Sequence, residues 1–264
     1  MLLYFAGFTG MDVPSNDPLR ICDSSCGFSL RRENERPLSG ESRAGRTRNR
    51  TDCGFQARLP WETSIRRLSI RLKILQVGDP VLRQKARALS NEEIRGAEIQ
   101  QLIDFMLETM RDAPGVGLAA PQVGISLQLA IIEDRAEYLR DLRPEILAER
   151  KREPIPFHVI INPQIQLKDG APAAFFEGCL SLAGFSAVVP RAAEVVVDCL
   201  DRFGEPKQIQ AYGWYARILQ HEIDHLNGAL YLDRMLPRTF TTMEHLNRYW
   251  KDKTIAEVES LLAP

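Results

Sequence analysis

The residues best suited to chemistry are two histidines and the acid between them, in the run His221-Glu222-Ile223-Asp224-His225. On an α-helix, histidines four apart project from one face and can close on a single ion. Glu222 follows about 100° further round, which sets a carboxylate beside the ion without making it a ligand. That is the place of a general base for ion-activated water. A catalytic metal also needs a third protein ligand and an open position. A histidine six residues after His225 would complete the longer zinc-protease pattern, but that position is Tyr231. Glu244 would be the downstream acid of the alternative protease arrangement, yet it also fits as the third-residue partner of a helix cap at Thr241. His158 and His245 are lone histidines, which are more often satisfied or exposed side chains than ligands. Cys179 sits between Gly178, which permits close backbone approach, and Leu180-Ser181, whose amides can point at whatever the ion holds. Its bland reading is a buried small side chain, the role expected of Cys199 within an alternating strand.

The elements that must position these residues follow from pattern. The metal-bearing helix is expected from Gly213 to Asn227-Gly228, a pair suited to a left-handed C-cap. Ahead of it, Ile74 to Val77 reads as a short strand. A Ser90/Glu93 capping box introduces a helix whose stripe Ile99, Leu102, Ile103, Met106, Leu107 and Met110 runs to Pro114-Gly115. The loop Gly115 to Gly124 is rich in small residues, so its backbone can approach a ligand closely; the plainer reading is a tight helix-to-strand turn. Ile125, Leu127, Leu129 and Ile131 alternate as a half-buried strand, and residues 133–153 form a charged excursion read as solvated helix. Further strands are expected at 157–162, 164–167, 186–189, 193–200 and 208–212, with residues 173–176 leading into the Glu177 to Ser181 stretch and a hairpin turn at Asp201 to Gly204. Thr241/Glu244 and Thr254/Glu257 read as capping boxes of a helical tail in which Leu246, Tyr249 and Trp250 can pack. Helix, several strands, then helix indicates an α+β fold: small antiparallel sheets around a central metal-binding helix, with N-terminal and C-terminal helices.

Composition narrows the classes further. With 34 basic and 35 acidic side chains, no global field recruits nucleic acid or anionic membrane. No apolar run approaches the roughly 18 residues of a membrane span. Five scattered cysteines, an odd number, argue against a disulfide framework and for a reducing compartment. Residues 1–72 differ in character: up to Arg71 every basic residue is arginine, and Gly, Pro and Ser interrupt any period. They are expected to be a disordered extension, either a leader or upstream sequence ahead of the true start. Acids such as Asp12, Glu33 and Glu41 suit an organelle transit peptide poorly, which favours a bacterial cytoplasmic location over a mitochondrial or plastid one. Cys22-x-x-x-Cys26 lacks a second ligand pair nearby and is not read as a zinc site.

Three stretches together, Gly115-Val116-Gly117-Leu118-Ala119-Ala120-Pro121-Gln122, Glu177-Gly178-Cys179-Leu180-Ser181 and His221 to His225, resemble the signature motifs of peptide deformylases. The resemblance covers about Lys73 to Phe240, taken as the catalytic domain 73–240, with a tail at 241–264. The charged excursion and Gly213-Trp214 look most like the type found in mitochondria of plants and animals and in some bacteria. It implies Cys179, His221 and His225 as ligands of one Fe²⁺, with Zn²⁺, Ni²⁺ or Co²⁺ as substitutes; ligand chemistry alone would point to zinc. It also implies hydrolysis of the N-formyl group of formylmethionyl peptides, with Glu222 as base and Gln122 and the Leu180 N–H as oxyanion donors. The substrate backbone would pair beside Gly115 to Gly117, and its methionine would sit in a pocket to which Val116, Trp214 and Ile218 contribute. Glu177 and Arg191 match a pair bracing the Cys179 loop. Implied partners are N-formylmethionyl nascent peptides, with the ribosome near its exit tunnel and a second copy of the chain as further candidates.

Overall fold

The computed structural model describes residues 70–262. Its frame is a five-stranded antiparallel sheet in the order β1-β2-β3-β6-β7, formed by β1 (Gly117–Ala119), β2 (Leu129–Asp134), β3 (Ile155–Leu167), β6 (Glu194–Leu200) and β7 (Pro206–Tyr212). A second, three-stranded sheet consists of β4 (Ala173–Cys179), β5 (Leu182–Arg191) and β8 (Thr241–Thr242). Two helices sandwich the larger sheet. Helix α2 (Ala97–Asp112) covers one face through Ile103, Met106 and Met110, and α4 (Gly213–Leu226) covers the other through Ile218, Leu219 and Ile223. The α+β architecture around a central helix is as expected, with Asn227 and Gly228 (φ 76°) ending α4.

The double cover corrects the expectation of a half-buried strand. In β2, Leu129 and Ile131 face α2 while Ala130 and Ile132 face α4, so all six residues are buried. Strands covered on both faces lose the apolar/polar alternation of one-sided sheets. Residues 74–77 are extended but form no strand, because the N–H of Leu75 bonds Gln122 O (2.8 Å) and that of Val77 bonds Ser181 O (2.7 Å). Successive bonds reach two different loops, so no ladder is built. The Ser90/Glu93 box is present but caps only the short α1 (Asn91–Arg95); Gly96 (ψ 150°) leaves the helical region and α2 starts afresh.

Nor is the charged excursion wholly solvated. It includes the end of β2 and α3 (Pro144–Arg150), and it ends in a fully buried bidentate pair, Arg152 Nε and Nη2 to Asp134 at 2.7 and 2.9 Å. The strands expected at 157–162 and 164–167 are one strand whose register shifts between Ile161 and Gln164. Asn162 sits there at φ 50°, and its side chain holds both Leu89 N (2.9 Å) and Leu89 O (2.8 Å). In the tail, the cap is Thr242, accepting from His245 N, while Thr241 and Thr242 pair with β5. The Thr254/Glu257 box forms as expected. Leu246 is buried against Phe176 and Val188, and Trp250 packs on the same cluster, but Tyr249 is exposed. The unusual Cys22/Cys26 spacing and the leader fall outside the described residues, apart from its last three positions. Among the described residues no helix is long and apolar enough to cross a membrane.

Candidate metal centre

The third-ligand question has a geometric answer. Among the described residues, the one group of metal-binding side chains is Cys179, His221 and His225, all buried, with donor atoms within 4.8 Å of one another. Cys179 ends β4 where the hairpin to β5 turns back, and the histidines project from the face of α4 turned toward it. The alternatives lie elsewhere: Glu244 and His245 are exposed in the tail, and His158 Nε2 pairs with the Tyr215 hydroxyl at 2.9 Å.

The donor set fits a divalent ion. His221 Nδ1 donates to Glu177 Oε2 at 3.0 Å, which leaves Nε2 as a lone-pair donor; that atom is buried without a hydrogen-bond partner. The Glu222 Oε2, His225 Nδ1 and Tyr231 hydroxyl are orphaned in the same way, with Tyr231 stacked 6.4 Å from the His221 ring. Buried polar atoms are seldom left unpaired, and a free His221 Nε2 with a free Glu222 oxygen suits a site completed by an ion and its water, to which His225 would present the Nε2 that lies 3.3 Å from Cys179 Sγ. A thiolate with two imidazoles suits Zn²⁺ or Fe²⁺. Electrostatics already favour the thiolate. Burial opposes ionisation of Cys179, but charge on His225 and the contact of its Nε2 with Sγ at 3.3 Å overcome it and hold the thiol well below its ordinary value. Burial also lifts the Glu222 carboxyl above the usual range, against the pull of the two imidazoles.

Two loops close the centre. After β1, Gln122 lies in a 3₁₀ turn (Ala120–Val123) whose geometry is set by its own side chain: Oε1 accepts from Ala119 N at 2.8 Å. Its Nε2 therefore faces Cys179 Sγ (3.5 Å) and Ser181 Oγ (3.3 Å). Leu180 packs its Cδ1 3.1 Å from where a Cβ on Gly115 would stand, and its carbonyl accepts from Gln76 Nε2 at 2.9 Å. Trp214, Ile218 and Val116 are buried in the cluster between α4 and the larger sheet, Trp214 lying beneath the Arg150 guanidinium at 4.9 Å.

Gly117 has a sharper constraint than its sequence context gave. A Cβ there would stand 2.2 Å from Glu222 Oε1 and 2.8 Å from Cγ. Since its backbone is fixed in the ladder opposite Ile132, Gly117→Ala must displace the Glu222 carboxylate. A misplacement of about 1 Å at a reacting group can cost roughly 10²-fold. We expect Gly117→Ala to lower turnover by about that factor with metal content unchanged, which parallel metal analysis and kinetics will check.

Behind the donors is a buried charge network. Arg191 Nε and Nη2 reach the two Glu177 oxygens at 3.0 and 2.9 Å, so the expected pair is present. Sequence reasoning missed its extensions: Arg217 to Glu177, Arg191 to Asp224, and the half-exposed Arg234 bidentate to Asp224 at 2.7 Å. Arg217 and Asp224 are on the metal helix itself, at four before and three after His221, the spacing that shares a face. That was the available signal.

A buried cysteine and two histidines that could hold a metal ion, at the central helix of an α+β fold with an unpaired acid on the same helix, form a candidate metal centre. The chain belongs to the polypeptide deformylase family, whose model matches residues 71–240. It is 49% identical over 174 residues to the chloroplastic peptide deformylase 1A of Solanum lycopersicum, covering 66% of this chain and 63% of that protein. To the mitochondrial peptide deformylase of Homo sapiens it is 43% identical over 177 residues, covering 67% and 71%. Among solved structures, a Met-Ala-Ser-bound class I type b peptide deformylase from Acinetobacter baumannii superposes with a TM-score of 0.56 at 33% identity, covering 64% of this chain and all of that one. The chain thus spans just under two thirds of the length of the plant relatives it matches, 63% for the tomato protein and 65% for that of Arabidopsis thaliana.

Proposed function

We propose that the chain removes the N-formyl group from formylmethionyl N-termini of newly made polypeptides, releasing formate and a free amine. The observation that carries the reading is the convergence of Gln122, Glu222 and the Cys179/His221/His225 donors on one buried point, supported by the family match. The ion assigned is Fe²⁺, one per chain, for which Zn²⁺, Ni²⁺ or Co²⁺ can substitute at the same donors. Bound there, it supplies Lewis acidity toward a carbonyl oxygen and lowers the pKa of water.

The protein's own groups do the rest. The free Oε2 of Glu222 takes a proton from the attacking water, whose oxygen bonds to the formyl carbon. The same carboxyl then returns that proton to the leaving nitrogen as the C–N bond breaks. Gln122 Nε2, aimed by its tie to Ala119, and the Leu180 N–H receive the negative charge growing on the formyl oxygen. The peptide backbone adds as a strand along β1 near Gly115 to Gly117, a reading supported by the position of β1 at the sheet edge. The methionine side chain goes toward Val116, Ile218 and Trp214.

The test is anaerobic formate release from a formyl-Met tripeptide by the Fe²⁺-loaded full chain. Formate should appear in step with free N-termini, with internal peptide bonds intact. No formate would sink the proposal, and internal cleavage would make the chain an endopeptidase. Cys179→Ser should weaken metal binding by more than the roughly 100-fold that losing a supporting hydrogen bond can cost. Unchanged metal affinity in a chelator titration would remove Cys179 from the donor set.

A further inference from the structure

The densest buried charge in the described residues stands directly behind His221. Glu177 is fully buried, and its two oxygens receive four donors. Oε1 accepts from Arg191 Nε (3.0 Å) and Arg217 Nη1 (2.5 Å), while Oε2 accepts from Arg191 Nη2 (2.9 Å) and His221 Nδ1 (3.0 Å). Four donors fill the acceptor capacity of a carboxylate, so its rotation is fixed. Arg191 alone gives a weaker hold, because it is drawn as well toward Asp224 Oδ2 (2.5 Å), which the half-exposed Arg234 shares.

Arg217 has no such outward pull. It lies one turn before His221 on the same face of α4, so both side chains reach one carboxylate. Its other donors are spent on fixed backbone: Nη1 also reaches Val189 O at 2.8 Å, and Nη2 reaches Ala173 O at 2.5 Å. The guanidinium packs 5.2 Å from the Phe175 ring centroid and 5.9 Å from that of Trp214. It is a stationary point anchored on both strands of the β4–β5 hairpin.

We propose that Arg217 is a positioning residue for the metal centre, holding Glu177 Oε1 so that Oε2 keeps the His221 ring turned with Nε2 toward the ion. The inference rests on the reading of Cys179, His221 and His225 as the ion-holding set. A supporting contact of this kind orients a ligand before the ion arrives and resists the ring rotation by which the ion leaves. Lysine keeps the charge at position 217 but not the planar fork, so it cannot hold Glu177 and both carbonyls at once.

The experiment uses the full-length chain loaded with Co²⁺, whose visible absorption reports ligand geometry, and follows Co²⁺ release to excess chelator. Arg217→Met should release Co²⁺ roughly 10-fold faster, at the low end of the 10–100-fold range for such contacts, with a changed visible spectrum; Arg217→Lys should fall between. Ile103→Val, a core change remote from the centre, should do neither, which separates positioning from general loosening. Glu177→Gln should speed release by itself, and adding Arg217→Met to it should change the rate by less than about 2-fold, since contacts acting through one partner are not additive. If Arg217→Met does not fold, the same cycle with Arg217→Lys decides. Release rates and spectra equal to wild type, or effects additive with Glu177→Gln, would overturn the proposal while leaving the metal centre in place. A wild-type chain that takes up no Co²⁺ would overturn both.

Discussion

Glu222→Gln is expected to lower formate release by roughly 10²–10⁴-fold, the usual contribution of a positioned acid–base group, while metal content and thermal stability hold. The substitution preserves shape, so the packing against Gly117 survives. It also removes no structural bond, because Glu222 Oε2 is buried without a partner. In the metal-free chain burial raises the Glu222 pKa above its unfolded value of about 4.5. A group raised in the folded state adds stability below its unfolded pKa and loses it as pH climbs through the folded one. At neutral pH the buried carboxyl therefore costs stability relative to acid, and the metal-free Gln variant should melt no lower than wild type. Steady-state kinetics, metal analysis and thermal melts at pH 7 provide the check. Full turnover in a metal-replete variant would show that another group moves the proton.

Much of this centre was legible in the sequence because its chemistry is local. The i, i+4 histidines, the intervening acid, and the cysteine in Gly178-Cys179-Leu180-Ser181 each advertise themselves within a few residues. So did the end of the metal helix, through Asn227-Gly228, and the turn at Asp201, whose Oδ1 accepts from Phe203 N (2.8 Å) and Glu205 N (3.0 Å). What failed was non-local. Periodicity could not tell that β2 has helices on both sides, since Leu129 to Ile132 is apolar at every position and alternates only by target. Nor could it separate extended residues 74–77 from a strand, because the distinction lies in which loops accept their N–H groups. Asp134 and Arg152 read as surface charges until the fold brought them together out of water. The tail's cap was off by one residue because Thr241 and Thr242 are adjacent and both have a side chain that can cap, and it is Thr242 that accepts from His245 N.

The second large effect concerns stability. Glu177→Ala should lower unfolding free energy by about 3–5 kcal/mol, the cost of leaving buried charge uncompensated. For a folded part of this size that is a fall in Tm on the order of 10 °C. The mechanism is specific: the change strips the shared acceptor from Arg191, Arg217 and His221 Nδ1 together, leaving Arg191 with Asp224 alone and Arg217 with backbone carbonyls and no carboxylate. The pH dependence tests it independently. Burial works against the Glu177 charge, but Arg191, His221 and Arg217 hold its carboxyl well below the ordinary 4.5. A depressed carboxylate contributes stability above its unfolded pKa and loses it as pH falls toward the folded one. The gap between wild type and Glu177→Ala should thus narrow from about pH 5 into more acidic solution; near and above neutrality it also carries His221, whose imidazole, against its burial, Cys179 and Glu177 raise to about 9. Urea unfolding of the metal-free proteins across that range measures the gap directly. A difference under about 1 kcal/mol at pH 7 would mean the network merely tolerates its buried charges, as some well-packed ion pairs do. In that case Glu177 would owe its place to aiming His221 alone.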